Sequence, residues 1–544
     1  MDGAGYKPCG QGLDAYPMKK LIPFIAVAPA FVLIAVFIMT RPAFAGTRYI
    51  AQSAGTFSGG TACRDQTAIT PDTFNEITNS PGDVNYICGT IAGSAGVQLL
   101  TPKGNGSAGN PVTIRFDTGA ILEAPYFAPS PNGGCGGAIC LYGLSFYTID
   151  GQNTGTIENT ANGTALANNQ PTEAIEGFNC NHCTVENLTI ANMYVHNSTS
   201  DTSANATAQR CISLSGSDWL IQNNVMHDSG WCLYNNFNNG DANVVIAGNT
   251  IYNMDHGWML ASQVSGGNSG PFIFHNNTVY GYAAWDTGSA DVYHHDGIHC
   301  FTSQTKGSAA HITLLAIYDN LFKGPIGQNV TGHIFIEGGA GSRSTPCADS
   351  TSGIAVYNNV AVGDQPDPDG LFGLFSGNFT SAHGGGVYNN TFISTAGTGV
   401  GVCFSANSDV SGMTFENNAL SGCNQLVETD SIPFAADYNQ YADGGNNAFV
   451  CKGKYYQTSE FSSWQSCIGG DSHSAYRSSL KLSNSYQPQS GSPLINAGTT
   501  LTSLCPGSLS SLCSDYAGNP RPSASAWTVG AHSNSDSALR RPQA

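Results

Sequence analysis

The chain has 544 residues, 41 % of them hydrophobic and only 10 % charged, with a formal charge of −18 at neutral pH. So acidic a balance leaves no nucleic-acid footprint, and it repels a polyanionic glycan unless calcium or a local basic patch intervenes. With few charges and many Gly, Asn, Ser and Thr residues, the surface suits hydrogen bonding to a neutral sugar.

In chain order, residues 1–45 read as a leader. Lys19 and Lys20 precede an uncharged apolar run from Leu21 to Met39, and Ala43-Phe44-Ala45 supplies a small-residue cleavage site. Met18 is an alternative start. The run is nearly long enough to span a bilayer, but Pro23, Pro29 and the Ala-x-Ala ending favour cleavage. The mature chain then begins near Gly46 as a secreted or periplasmic protein, monomeric and without a stable membrane anchor. Removing Cys9 with the leader leaves an even number of the 17 cysteines, as disulfides in an oxidising compartment require. Local candidates are Cys63–Cys88, Cys135–Cys140, Cys403–Cys423, Cys451–Cys467 and Cys505–Cys513. Cys180-Asn181-His182-Cys183 has the spacing of a zinc or redox motif, but with no second CxxC a disulfide or packing role is the simpler reading.

Residues 46–149 form the first region. Thr70 to Ile77 predicts one short capped helix, with Pro71 early and Phe74 and Ile77 on one face, placed to cover an exposed strand end. Pro111–Phe116 and Phe146–Gly151 predict early strands. Then a phrase repeats: Ile221-Gln222-Asn223-Asn224-Val225, Ile246-Ala247-Gly248-Asn249-Thr250-Ile251, Phe274-His275-Asn276-Asn277-Thr278-Val279, and on through Asn320, Asn359, Asn390 and Asn418. The steps are 25, 28, 43, 39, 31 and 28 residues, with an earlier copy at Val185–Ile190 and a later one at Asp437–Tyr441. A period in this range means stacked coils. Each copy is a short β-branched or aromatic strand, a polar corner centred on Asn, and a second strand. No helical periodicity links the copies, and the shortest are too small for a four-stranded propeller blade. An all-β, single-stranded parallel β-helix over residues 46–440 remains, with coils about 4.8 Å apart. Stacked Asn amides would bond along the column. Residues 441–544 supply the last coils, an irregular cap (Gly444–Gln489) and the tail, so the whole is one elongated domain.

Three coils carry a second phrase after the Asn: His227-Asp228-Ser229-Gly230, Met254-Asp255-His256-Gly257 and His294-His295-Asp296-Gly297-Ile298-His299-Cys300. Aligned on Gly, Asp228, Asp255 and His295 share one position, and Ser229, His256 and Asp296 the next. In-register residues of adjacent coils stack, so these should form one polar patch, with Ile298 and Cys300 inward and His299 outward. Five of the 13 histidines (His227, His256, His294, His295 and His299) fall here, and His both titrates near neutrality and ligates metals. The plainer reading makes each Asp or His a turn residue. An insertion, Gly281–Tyr293, precedes the third copy and could wall a groove with Tyr282, Trp285, Asp286 and Tyr293, beside His294. The candidate catalytic set is Asp228, Asp255, His256, His295, Asp296 and His299. Trp285, Tyr282, Tyr293, His294 and Glu337 are candidate substrate contacts, with Glu337 and His333 one coil further on in reserve.

Two reactions compete. In glycoside hydrolysis, Asp228 with Asp255 would suit a retaining pair at about 5–5.5 Å, and Asp228 with Asp296 an inverting pair at about 6.5–9.5 Å. In polysaccharide lysis a base removes the proton α to a uronate carboxylate, whose charge needs calcium, held by Asp228, Asp255 and Asp296, or a basic residue such as Arg210, Lys306, Lys323 or Arg343. The acidic balance tilts toward a hydrolase.

The Asn-centred coils resemble secreted right-handed parallel β-helix proteins of the pectate-lyase-like superfamily. The tail agrees, through Ser492-Pro493-Leu494-Ile495-Asn496-Ala497-Gly498, Asp515-Tyr516-Ala517-Gly518-Asn519-Pro520-Arg521-Pro522 and Val529-Gly530-Ala531, although Asn496 stands where Asp is more usual. The resemblance covers roughly residues 46–532 and implies the fold and a polysaccharide partner. It does not choose among lyases, hydrolases, epimerases and adhesins. The Asn-Thr-Asp, Asp-Asp, Gly-His-Gly and Arg-Ile-Lys set of polygalacturonases is absent. So are the Arg-x-Pro-x-x-Arg of one pectate lyase group and the Asp-Pro-His of alginate epimerases, and no catalytic residue carries over. A non-catalytic glycan-binding or adhesive scaffold, or a structural envelope component, stands as the alternative to an enzyme.

Overall fold

A computed structural model describes residues 45–129, 134–162, 170–196, 208–262, 267–282, 295–302, 311–324, 330–337, 353–364, 370–375, 385–397, 401–406, 410, 412–430 and 434–533. The leader lies outside the described residues. All of the described chain belongs to one compact unit, residues 44–544. Among the described residues no helix is long and apolar enough to cross a membrane.

Among the described residues thirty-three strands join one sheet, parallel except for the hairpin near its end. The pairing runs as three ladders. One is seen in Trp219–Gln222, Val244–Ala247, Phe272–His275 and Leu315–Tyr318. A second links the first halves of Val225–Phe237 and Thr250–Ser262 to Thr278–Tyr280 and Leu321–Lys323. The third runs from Thr172–Gly177 through Gln209–Leu214, the second halves of Val225–Phe237 and Thr250–Ser262, then His295–Thr302 and Val330–Glu337. The molecule is a right-handed single-stranded parallel β-helix, in keeping with the hand of parallel crossovers. Its interior is one continuous apolar column from Ile50 to Ile468, with stacked rings such as Trp258 on Phe274 at 5.3 Å.

The repeated Asn marks the corner between the first two ladders. Asn224, Asn249, Asn277, Asn320, Asn359, Asn390, Asn418 and Asn439 are all buried. Each Oδ1 from Asn249 to Asn439 accepts the backbone N–H and the side-chain amide of the Asn one coil earlier, at 2.8–3.1 Å. Each Nδ2 also donates to a backbone carbonyl of the preceding coil, as Asn277 does to Ile246 at 3.0 Å. A bend that would strand backbone groups inside the protein is thereby satisfied. The left-handed backbone falls on the residue before the ladder Asn. Asn223, Gly248, Asn276, Asp319, Asn358, Asn389, Asn417 and Tyr438 all have φ between 50° and 70°. Turn conformation and amide ladder are thus divided between two neighbouring positions, where the sequence reading assigned both to one Asn.

The predicted N-terminal helix is present but shorter, Pro71–Asn75, capped by the Thr70 hydroxyl accepting from the Thr73 amide, with Phe74 in the core and Ile77 beyond its end. At the other end the hairpin Phe449–Cys451/Lys454–Tyr456 and the helix Phe461–Ile468 place Trp464 and Ile468 against the core. The tail then returns along the coils. Asn358, Asn389 and Asn417 donate to the carbonyls of Ser514, Thr528 and Thr499, and buried Arg521 donates to Asn358. All five proposed disulfides are formed, and Cys180–Cys183 is a disulfide as well. Cys300 is disulfide-bonded, whereas Cys211 and Cys232 are buried thiols with sulfur atoms 2.7 Å apart.

Two stability outcomes follow. Asn277→Ala strands the Asn249 amides and the Ile246 carbonyl, and should cost about 2–4 kcal/mol in denaturant unfolding. Asp319 stands where neighbouring coils carry Asn, and burial pushes its carboxyl from 3.8 up to about 8. The folded state therefore favours the protonated acid, so the stability this group contributes is present below about pH 4 and lost as pH rises to about 8. Asp319→Asn should raise Tm progressively more between those pH values and level off above, as measured by calorimetry.

Candidate functional site

The second phrase lies on the third ladder, and only two of its three copies are in register. His256 pairs with Asp296 and Trp258 with Ile298, as alignment on Gly requires. The first copy is offset by two residues: Trp231, not Ser229, pairs with His256, and Ser229 pairs with Met254. The cause is chain length. Register is set at the Asn corner, where Val225 pairs with Thr250, and Gly230 follows its Asn two residues sooner than Gly257 does.

Asp228 therefore falls beside Asn253, whose side-chain amide donates to it, and beside His227 at 2.5 Å. With φ at 53°, it is a left-handed corner residue between ladders. Asp228 is thus offset by two residues from Asp255, and among the described residues the three aspartates do not converge as a metal-ligand set. His227 instead begins a ring stack with Tyr252 (4.7 Å) and Tyr280 (5.1 Å).

What the coils do gather is Asp255, His256, Asp296 and His299. Asp255 Oδ1 contacts His256 Nδ1, His256 Nε2 lies 3.4 Å from Asp296 Oδ2, and that oxygen is 3.7 Å from His299 Nδ1. Asp296 Oδ1 accepts the Gly332 backbone N–H at 2.9 Å. The two imidazoles stack at 5.5 Å. Asp296 and His299, three residues apart on one strand, are brought together, while Ile298 and Cys300 enter the core as expected. The group is nearly closed to solvent: Asp255 and Asp296 are 0 %, His256 2 % and His299 7 % exposed. Burial alone would lower the His256 pKa, but Asp255 and then Asp296 outweigh it and hold the imidazolium up to about 9. The atoms of His256, Asp296 and His299 lie within 4.8 Å of one another, close enough to hold a metal ion. His295 is buried one position earlier and is not part of that converging set.

Aromatic side chains surround the group on the face away from the core. Trp231 meets His256 edge-on at 5.8 Å and Phe301 at 6.0 Å, and Phe301 and Phe335 lie 5.1 and 4.7 Å from His299. Trp231, Tyr234, Met259 and Phe301 belong to an apolar cluster separate from the main core. Trp231 is only half-buried. Continuing along the coils, Arg210 lies over Tyr234 at 4.0 Å and pairs with buried Glu173 at 2.9 Å. Glu173 Oε2 has no hydrogen-bond partner. Trp231, Phe301, Phe335 and Glu173 were not anticipated as site residues. Counting from the Asn corner instead of from Gly would have placed Trp231 beside His256.

Tyr282 is not a groove wall. It is fully buried in the main core, its hydroxyl 3.2 Å from His333 Nδ1, and His333 Nε2 lies 3.1 Å from the Val362 carbonyl oxygen. Burial lowers the His333 pKa to about 4, which keeps the ring neutral. Trp285, Asp286, Tyr293 and His294, with Lys306 and Arg343, lie outside the described residues. Glu337 ends its strand paired with Phe375, its side chain likewise outside the description.

No family model matches this sequence, and no curated protein matches it. Among solved structures, it is similar to the tailspike protein of E. coli bacteriophage HK620 in complex with a pentasaccharide, at TM-score 0.46 and 12 % identity over 79 % of this chain and 74 % of that one. A double mutant of the same tailspike gives 0.45 and 12 % over 75 % and 72 %. At that distance no residue role carries across.

The electrostatics of the cluster are open to measurement. In metal-free protein, Asp255→Asn should bring the His256 ring titration down by about 1 unit or more from about 9, while Asp228→Asn leaves it in place, as read by histidine NMR.

Proposed function

We propose that the protein is an exported, monomeric, carbohydrate-active enzyme of the pectate-lyase-like superfamily that binds a polysaccharide along the flank of its β-helix and cleaves it at the Asp255–His256–Asp296–His299 cluster. One observation carries this reading: two carboxylates and two imidazoles are buried together against an aromatic cluster, separate from the main core, that includes the partly exposed Trp231. Burying charge costs several kcal/mol per ion, and four ionisable groups share that cost at this one place. Later coils fill the His299 row with Phe335, Gly373 and Ser405, so the cluster is local and not a repeat of the ladder. Trp231 offers the broad apolar face against which a sugar ring can stack.

Hydrolysis is the reaction this arrangement favours. The acidic balance of the chain, with a formal charge of −18, disfavours the uronate polymer that elimination requires. Asp255 and Asp296 stand on opposite sides of the His256 ring. Non-catalytic glycan binding is the second reading, favoured by the near-complete burial of the carboxylates.

The mature protein on a panel of neutral and acidic glycans separates these readings. New reducing ends are expected on a neutral glycan, falling by about 10²–10⁴-fold in Asp296→Asn with the fold intact by circular dichroism. Ultraviolet absorbance from an unsaturated uronate would mean elimination instead. Binding that is lost in Trp231→Ala, with no product from any glycan, would leave only the non-catalytic role.

A further inference from the structure

Three atoms of the cluster converge in a way that acid–base chemistry does not require. His256 Nε2 and His299 Nδ1 stand 3.4 and 3.7 Å from the same oxygen, Asp296 Oδ2, and all three atoms fall within 4.8 Å of one another. A tetrahedral ion with nitrogen and oxygen ligands at about 2.0–2.1 Å spaces those ligands about 3.3 Å apart. We propose that His256, Asp296 and His299 are the protein ligands of a divalent transition-metal ion, of the kind zinc typifies, with a further coordination position left for water or a substrate oxygen.

The surroundings fit that role. Asp255 contacts His256 Nδ1, which fixes the ring so that Nε2 is the nitrogen turned to Asp296. The Gly332 N–H occupies Asp296 Oδ1 and leaves Oδ2 as the oxygen that faces both imidazoles. Such outer partners are what orient histidine and carboxylate ligands in metal sites. Phe301 and Phe335 pack against the His299 ring and Trp231 against His256, which limits water and holds both rings in place. A divalent cation would also balance the two buried carboxylates. Calcium is a poor match. It takes six to eight oxygen ligands at about 2.3–2.6 Å, whereas among the described residues this set offers two nitrogens and one carboxylate. The three aspartates that would have made a calcium site are not brought together, because Asp228 is out of register with the other two.

The ligands come from two adjacent coils, His256 from one and Asp296 and His299 from the next. The site therefore exists only when those strands pair in this register. As a binding site it stands on geometry alone. As the source of cleavage it rests on the proposed function, in which a bound cation would polarise an oxygen or lower the pKa of a bound water.

The test uses the mature protein, stripped with EDTA, dialysed, and titrated with Zn²⁺, Co²⁺ or Ca²⁺. One equivalent of Zn²⁺ should bind by elemental analysis. Co²⁺ should give the visible absorption of a four-coordinate site and broaden the His256 and His299 ring signals. Asp255→Asn should weaken Zn²⁺ binding by about 10–100-fold, and His299→Gln by at least as much, with folding checked by circular dichroism. Ca²⁺ should not compete. If Zn²⁺ and Co²⁺ do not bind the wild type, if the ring signals stay sharp, or if Ca²⁺ takes the site, the assignment is wrong. The two proposals fail separately. Metal bound with no glycan product removes cleavage and keeps the site, whereas glycan cleavage by a protein that binds neither Zn²⁺ nor Co²⁺ removes the site and keeps the enzyme.

Discussion

The structure depends on the buried amide column at one corner of the coil. Each ladder Asn bonds the coil on either side of it, so a one-residue slip would break several buried hydrogen bonds at once. Parallel strands have no tight turn to set their pairing, and here the corner does that work instead. The residue before each ladder Asn supplies the left-handed bend, and on several coils its side chain turns outward to receive the returning tail. One corner thus pins the register and anchors the C-terminal segment.

Everything on the third ladder inherits its position from that corner. From Asn to Gly, the first copy is two residues shorter than the second. Where the lengths differ, the phrase slides along the ladder, and the two-residue deficit before Gly230 is enough to take Asp228 out of the cluster and bring Trp231 into it. A carboxylate pair becomes an aromatic wall without any change in local motif. The third copy shows the converse: a long insertion leaves pairing intact, because what matters is where the strand rejoins the ladder.

The candidate site gathers two buried carboxylates and two buried imidazoles in one place. The ladder satisfies its polar groups with neutral amides, which exact little desolvation cost once bonded. The cluster of Asp255, His256, Asp296 and His299 places ionisable groups in equally dry surroundings, and its stability depends on each group facing an opposite charge or a cation. At Asp319, desolvation outweighs the Asn358 hydrogen bond and the Arg521 charge, and the carboxyl is driven toward the neutral acid.

The sequence by itself determined the coil. The Asn spacing, the β-branched strands, the covering N-terminal helix and five disulfides were all legible, because each depends on local composition or on a period that repeats nine times. It also singled out Asp255, His256, Asp296 and His299, since titratable residues are rare enough in this chain for clustering to stand out. Only the tertiary structure decided which of the candidates meet. Asp228 was lost and Trp231 gained by a two-residue difference in arc length. Tyr282 and His333 turned inward because that side of their coils completes the core. Motif similarity records which residue types recur, whereas contact across coils is set by path length from a fixed corner, and only the folded chain sums that path.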